Sequence, residues 1–207
     1  MKAIQLKATG AELASLAVGT AANYFRELQA GKLVEKGSSG RYGGVVISNS
    51  GRVNTLLGFV FDPPFGESRV SLVKQIRGLE LSSAVFGPLR HDLNFYDSAR
   101  SAFQFVQGLG IDFSADLGTA LDGLVGGFRT GAFEEWEAGA RVDITVEFNG
   151  QRSAMVMIDR PGTNNAAAFT YEPKKAQPPA AVERITRLHR VVFESLAADD
   201  ETAPDQG

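Results

Sequence analysis

Val142-Asp143-Ile144-Thr145-Val146-Glu147-Phe148-Asn149-Gly150 and Gln151-Arg152-Ser153-Ala154-Met155-Val156-Met157-Ile158-Asp159 form the clearest local pattern in the chain. Val142, Ile144, Val146 and Phe148 alternate with polar residues, as a strand with one buried face requires. Asn149-Gly150 is the strongest two-residue turn signal, and Ala154, Val156 and Ile158 alternate back from it. Arg160 to Asn165 reads as a second turn and Ala166 to Tyr171 as a third strand. Pro173-Lys174-Lys175-Ala176-Gln177-Pro178-Pro179 is an extended linker. It leads to a helix from Ala180 to Ala198 with Val182, Ile185, Leu188, Val192 and Leu196 on one face, then a polar tail expected to be disordered over 199–207.

Upstream, hairpins and helices are kept apart. Asp97 is positioned to cap a helix over Ser98 to Gln107, where Ala99, Ala102, Phe103 and Val106 recur at helical spacing. Asp116 opens another, carrying Leu117, Leu121, Leu124, Val125 and Phe128. Gly118, Gly123, Gly126 and Gly127 each cost that helix about 1 kcal/mol relative to Ala, so they imply close backbone packing or a loop. Val45 to Phe61 reads as a hairpin turning at Asn49-Ser50-Gly51, and Asp62-Pro63-Pro64-Phe65-Gly66 breaks regular structure. Between Val70 and Leu81 a strand and a short helix both fit. Separated helices beside hairpins predict an α+β fold: a β-hairpin-rich mixed sheet with a C-terminal helix. The expected units are 1–52, a body over 53–172, linker and helix over 173–198, and the tail.

The N-terminal unit is the most specific part. Ala3-Ile4-Gln5-Leu6-Lys7 alternates like a strand, and Thr9 with Glu12 has capping-box spacing. Leu13, Leu16 and Ala17 line one helix face, and Ala21, Tyr24, Phe25 and Leu28 the next. Then come Leu33-Val34-Glu35-Lys36, the loop Gly37-Ser38-Ser39-Gly40, and Arg41-Tyr42-Gly43-Gly44-Val45-Val46-Ile47. A single bent helix from Gly10 to Ala30 is the plainer alternative. Phe25 to Lys36, with Gly40-Arg41-Tyr42 and Ala11-Glu12-Leu13-Ala14, resembles a winged helix-turn-helix domain. That resemblance implies duplex DNA as a partner, with the helix from Ala21 to Ala30 in the major groove and Arg41 and Tyr42 on the wing. Asn23, Arg26, Gln29, Lys32, Lys36, Arg41 and Tyr42 would carry the contact, and Glu27 would repel phosphate. The C-terminal helix would stand in for the family's first helix.

Composition narrows the classes. In 207 residues, 43% are hydrophobic and 22% charged, as in an ordinary globular chain able to bury a sizeable core. The absence of Cys excludes disulfides and thiolate chemistry and fits the cytoplasm. No apolar run of signal-peptide or membrane-spanning length is present. The net charge is −3, yet through Arg52 seven cations face three acids, so a basic front precedes an acidic body.

Catalytic chemistry is poorly supplied. With only His91 and His189, a multi-histidine metal site is excluded. Arg90-His91-Asp92 lacks the surroundings of a kinase loop, and Gly37-Ser38-Ser39-Gly40 and Gly108-Leu109-Gly110 lack phosphate-loop and dinucleotide spacing. Glu134, Glu135 and Glu137 beside Trp136 read as solvated acids, and the 160–165 turn as turn chemistry with room for a ligand. The expectation is a non-catalytic binding protein without cofactor or metal, most specifically a DNA binder. A structural or protein-interaction component (a virion part, an immunity protein or an inhibitor), with a protein partner or as a homo-oligomer, is the second class. A membrane-active β-sandwich using Val45 to Val53 and Met155 to Ala168 is the third.

Overall fold

The alternation over 142–159 becomes the centre of a five-stranded antiparallel sheet, seen in a computed structural model that describes residues 1–36, 45–87, 99–137, 141–150, 152–160, 165–175 and 184–198. Among these residues the elements run α1 (Ala3–Leu13), α2 (Val18–Ala30), α3 (Asn49–Val60), α4 (Arg69–Arg77), β1 (Glu80–Gly87), α5 (Ala99–Val106), α6 (Leu117–Thr130), α7 (Ala132–Glu137), β2 (Asp143–Asn149), β3 (Ser153–Arg160), β4 (Asn165–Glu172), β5 (Ile185–His189) and α8 (Arg190–Ala197). The fold is α+β, as expected. Strand order is β1-β4-β3-β2-β5, with Val146 opposite Val156 and Val156 opposite Phe169. Ile144, Val146, Phe148, Val156, Ile158 and Phe169 are buried, and helix side chains cover them. Phe113 stacks on Phe169 with centroids 4.6 Å apart, and Phe61 meets Phe148 edge-on at 5.0 Å. Each such side chain stabilises the fold by about 1.5–3 kcal/mol when fully buried. One core joins Leu6, Leu57, Leu124, Phe169 and Phe193.

Four local expectations are corrected. Ala3 to Lys7 is the first turn and a half of α1, not a strand. Gln5 Oε1 accepts the Lys2 N–H at 2.7 Å, which starts the helix well before Thr9. Helical spacing buries Leu6, Gly10 and Ala11, so the period-2 pattern was a short-range coincidence. Asn49 to Val60 is helix α3, not part of a hairpin. Ser48 Oγ accepts the Gly51 N–H at 3.0 Å as an N-cap, and every residue from Gly51 to Phe59 is buried. A helix buried on all sides has no polar face to show a period.

The C-terminal segment is a strand followed by a helix rather than one helix from Ala180. Ile185 to His189 pairs with β2, placing Leu188 opposite Val146 and the Arg187 Nε 2.7 Å from Glu147. His189 therefore precedes α8 instead of lying within a helix. After β2, pairing resumes at Ser153 opposite Asn149, with Gly150 at φ +60, so the connection is three residues long. Between Val70 and Leu81 both readings hold, as α4 and then β1. Asp116 caps α6, accepting the Thr119 N–H at 2.8 Å, and the glycines serve close packing. At Gly118 a Cβ would meet the Arg77 side chain, which passes there to make a bidentate contact with Asp122 at 2.7 and 2.9 Å. Asp97, His91 and the 199–207 tail lie outside the described residues.

Arg52, counted above with the basic front, is fully buried at 0% exposure. Its Nε donates to the Ile47 carbonyl at 3.2 Å, and Nη1 to the Leu196 and Ala197 carbonyls at 2.7 and 3.2 Å. The last two are C-terminal carbonyls of α8, where a cation is favoured. Removing the donor leaves them buried without a partner. We predict that Arg52→Met lowers unfolding stability by about 3 kcal/mol, read from urea midpoints; Arg52→Lys should restore part of that loss. An unchanged midpoint in Arg52→Met would remove this account of the α3–α8 junction.

Candidate nucleic-acid interface

Periodicity divides α2 into two faces. Ala21, Phe25 and Leu28 point into the core, while Asn23, Arg26 and Ala30 are exposed. The Arg26 Nη2 donates to Asn23 Oδ1 and its Nε to the Ala22 carbonyl at 3.3 Å, so the two side chains form one polar unit. Glu27 is turned away from that unit. Its Oε1 accepts the Arg69 N–H at the start of α4 at 3.1 Å, and its Oε2 lies 3.8 Å from the Arg69 Nε. The residue expected to repel phosphate is therefore committed to a neighbouring helix.

Gln29 is also committed, because its Nε2 donates to the Glu35 carbonyl at 2.9 Å. That bond anchors the segment leaving α2. Lys32 and Lys36 on this segment are exposed and form no ion pair among the described residues. With Gln29 they line a cleft of about 540 Å³ between α2, the start of α3 and Arg77. Arg41 and Tyr42 lie outside the described residues. The structure thus brings together Gln29, Lys32 and Lys36, and sets Asn23 with Arg26 on the adjoining helix face.

Sequence reading missed the floor of the cleft. Glu35 Oε1 accepts the Ser48 N–H at 3.2 Å, at the positive end of α3, while Oε2 is buried without a hydrogen-bond partner. Asn54 donates from Nδ2 to the Leu33 carbonyl at 2.6 Å, leaving its Oδ1 likewise unpartnered. An acceptor-rich floor beneath a cationic rim favours anions at Lys32 and Lys36 rather than deep in the cleft. Residues so far apart in sequence carry no local signal of this convergence.

Lys32 is held in an uncommon conformation. It sits at φ +60 just after α2, where its N–H bonds the Gln29 carbonyl at 3.2 Å and the Leu33 N–H bonds Leu28 at 3.0 Å. This is a Schellman ending, whose left-handed position is normally glycine. Ser15 takes the same role after α1 at φ +53.

Elsewhere, no group of three or more His, Asp or Glu able to hold a metal occurs among the described residues. Glu134 is exposed on α7, and Trp136 packs edge-on against Phe105 at 5.3 Å. Asp159 is the one partly buried carboxyl whose acidity is clearly weakened among the described residues. Burial raises its pKa first and Asp143, directly opposite on β2, raises it further, while the Arg160 N–H opposes them. Burial also raises the Tyr171 phenol, which donates to the Phe113 carbonyl at 2.9 Å and braces the core. No protein-family model, no curated protein and no solved structure matches the chain.

Two outcomes test these assignments. Lys32→Gly should raise stability by about 1 kcal/mol by relieving the left-handed conformation, seen as a higher urea midpoint; a lower midpoint would contradict the strain. The raised Asp159 pKa means its contribution to stability is fullest below the unfolded pKa and is lost as pH rises through the folded one. Asp159→Asn should therefore be more stable than the parent by about 0.5 kcal/mol at neutral pH, the gap closing below about pH 4. Equal melting curves across that range would refute the like-charge reading.

Proposed function

We propose that the protein is a non-catalytic nucleic-acid-binding protein that meets duplex DNA with the exposed face of α2 and the lysines beyond its C-terminal end. The supporting observation is the separation of charge on α2: Asn23 and Arg26 face solvent together while Glu27 is withdrawn onto Arg69. Arg and Asn are the side chains best suited to guanine and adenine edges in the major groove. Lys32 and Lys36 would supply phosphate contacts that fix the helix in register. The turn over 14–17 between α1 and α2, with α3 packed against both, supplies the helix-turn-helix support such a reading needs. In this reading α1, which carries Ala11 to Leu13, is the helix directly before the recognition helix, and α8, which packs against α1, would take the place of the family's first helix.

Among the described residues, no helix is long and apolar enough to cross a membrane. The Val45 to Val53 strand expected of a membrane-active sandwich is instead largely the start of α3. The segment Met155 to Ala168 does supply β-strands, so the membrane reading loses one of its two strand segments.

Fluorescence anisotropy with random duplex DNA at two salt concentrations tests the proposal. Binding should weaken steeply with salt, and Lys32→Ala with Lys36→Ala should each reduce the salt slope by about one. Arg26→Ala should cost about 1–3 kcal/mol on a preferred site and relax its sequence preference. Lys32→Gly should bind more weakly although it folds more stably. No binding at low salt, or variants with the parent's salt slope, would overturn the assignment.

A further inference from the structure

Phe65 stands fully exposed at the tip of the loop between α3 and α4. The loop is built to hold it there. Pro63 and Pro64 restrict the backbone before it, and the Glu67 N–H bonds the Pro64 carbonyl at 3.0 Å. Gly66, at φ +88, takes the position that a type II turn reserves for glycine. At the base, the buried Arg69 guanidinium lies 3.3 Å over the Tyr24 ring and donates to the Gly58 and Phe61 carbonyls and to Asp62. A preorganised aromatic tip loses little conformational freedom on binding. Asp62 and Glu67, both exposed, flank it with negative charge.

The same chain carries a surface of the opposite shape. Ile4, Ala8 and Ala11 of α1, with Leu16, Val18 and Ala21, line an apolar groove of about 490 Å³. Ile4 and Val18 are 71% and 78% exposed, so the groove walls are not covered within the chain. Lys7 and Glu12 stand at its margins, and Lys2, one turn before, is exposed. Ala11 and Ala21, buried beneath the groove, leave room for a large ring, and Lys7 offers a counter-charge to Glu67, Asp62 being already paired with Arg69 at 3.2 Å.

We infer that Phe65 of one molecule inserts into the α1–α2 groove of a second copy. Knob and groove are different patches, so the contact is heterologous and propagates head to tail into a ring or an open chain. The charges set the orientation, with Glu67 toward Lys7 and away from Glu12. The groove face of α2, at Val18 and Ala21, is distinct from the Asn23–Arg26 face, so this association does not depend on the nucleic-acid reading.

Light scattering on a sizing column tests it. The parent should exceed its monomer mass of 22.1 kDa increasingly with concentration. Phe65→Ser removes the knob, and Ala8→Glu, at an exposed position, blocks the groove and repels the loop; each should elute as a monomer with unchanged melting temperature. An equal mixture of the two should restore a one-to-one dimer, because Ala8→Glu keeps its knob and Phe65→Ser its groove. A monomeric parent at the highest soluble concentration would overturn the inference. So would assembly that survives in either variant, or a mixture that stays monomeric.

Discussion

The buried guanidinium of Arg52 is the constraint around which the two halves of the chain are arranged. It sits in the first turn of α3 and reaches the last carbonyls of α8, 144 residues on. A cation with no water must be surrounded by acceptors, so α8 has to end where Arg52 points. That requirement fixes α8 against α3 and α6, and β5, which feeds α8 directly, against β2. The N-terminal helices and the sheet are thereby parts of one core, and Arg69 repeats the device at the other end of α3. There, buried Arg69 gathers the Gly58 and Phe61 carbonyls. In a helix buried on every side the polar side chains must find partners inside the protein: the Thr55 hydroxyl donates to the Gly51 carbonyl at 2.9 Å and the Asn54 Nδ2 to the Leu33 carbonyl at 2.6 Å.

These arginines also explain which elements were legible in the sequence. β2 and β3 were readable because one face is buried and the other is not, which writes a period of two into the side chains. The α6 cap was readable because Asp116 acts on a neighbour three residues away. α3 was not, since total burial removes the periodic signal and its polar residues look like those of a turn. α1 failed for the opposite reason: five residues are too few to separate a period of two from one of 3.6. β5 was absorbed into a helix because Ile185 and Leu188 stand at helical spacing; in the strand they fall on opposite faces, Leu188 buried and Ile185 exposed, and only pairing with β2 sets that arrangement.

The candidate site was legible by residue type but not by arrangement. Asn23, Arg26, Lys32 and Lys36 could be named from their chemistry and their place beside a helix. That Gln29 would be spent on a backbone carbonyl and Glu27 on α4 depends on contacts outside the segment. The same contacts tie Glu27 to the start of α4, where the Arg69 guanidinium is shared with Asp62 at 3.2 Å. Lys32 adds a different kind of information. Glycine would serve the end of α2 at lower conformational cost, as it would in place of Ser15 after α1, so neither helix ending is optimised for stability alone.

Because α2 carries both proposed surfaces, the helix period decides whether they compete. From Val18 to Ala21 the groove face advances three residues, and Asn23, Arg26 and Ala30 follow at intervals of three and four on a face rotated by roughly a third of a turn or more. One molecule docked through the groove therefore leaves the polar face of α2 open. A head-to-tail contact repeats with a constant operator, so each added copy would offer its own Asn23–Arg26 pair at a fixed spacing. Weak contacts at each α2 would then combine, the second and later ones becoming effectively intramolecular along one duplex. Such repetition would add to whatever affinity the modest charge of one α2 face supplies in a chain of net charge −3.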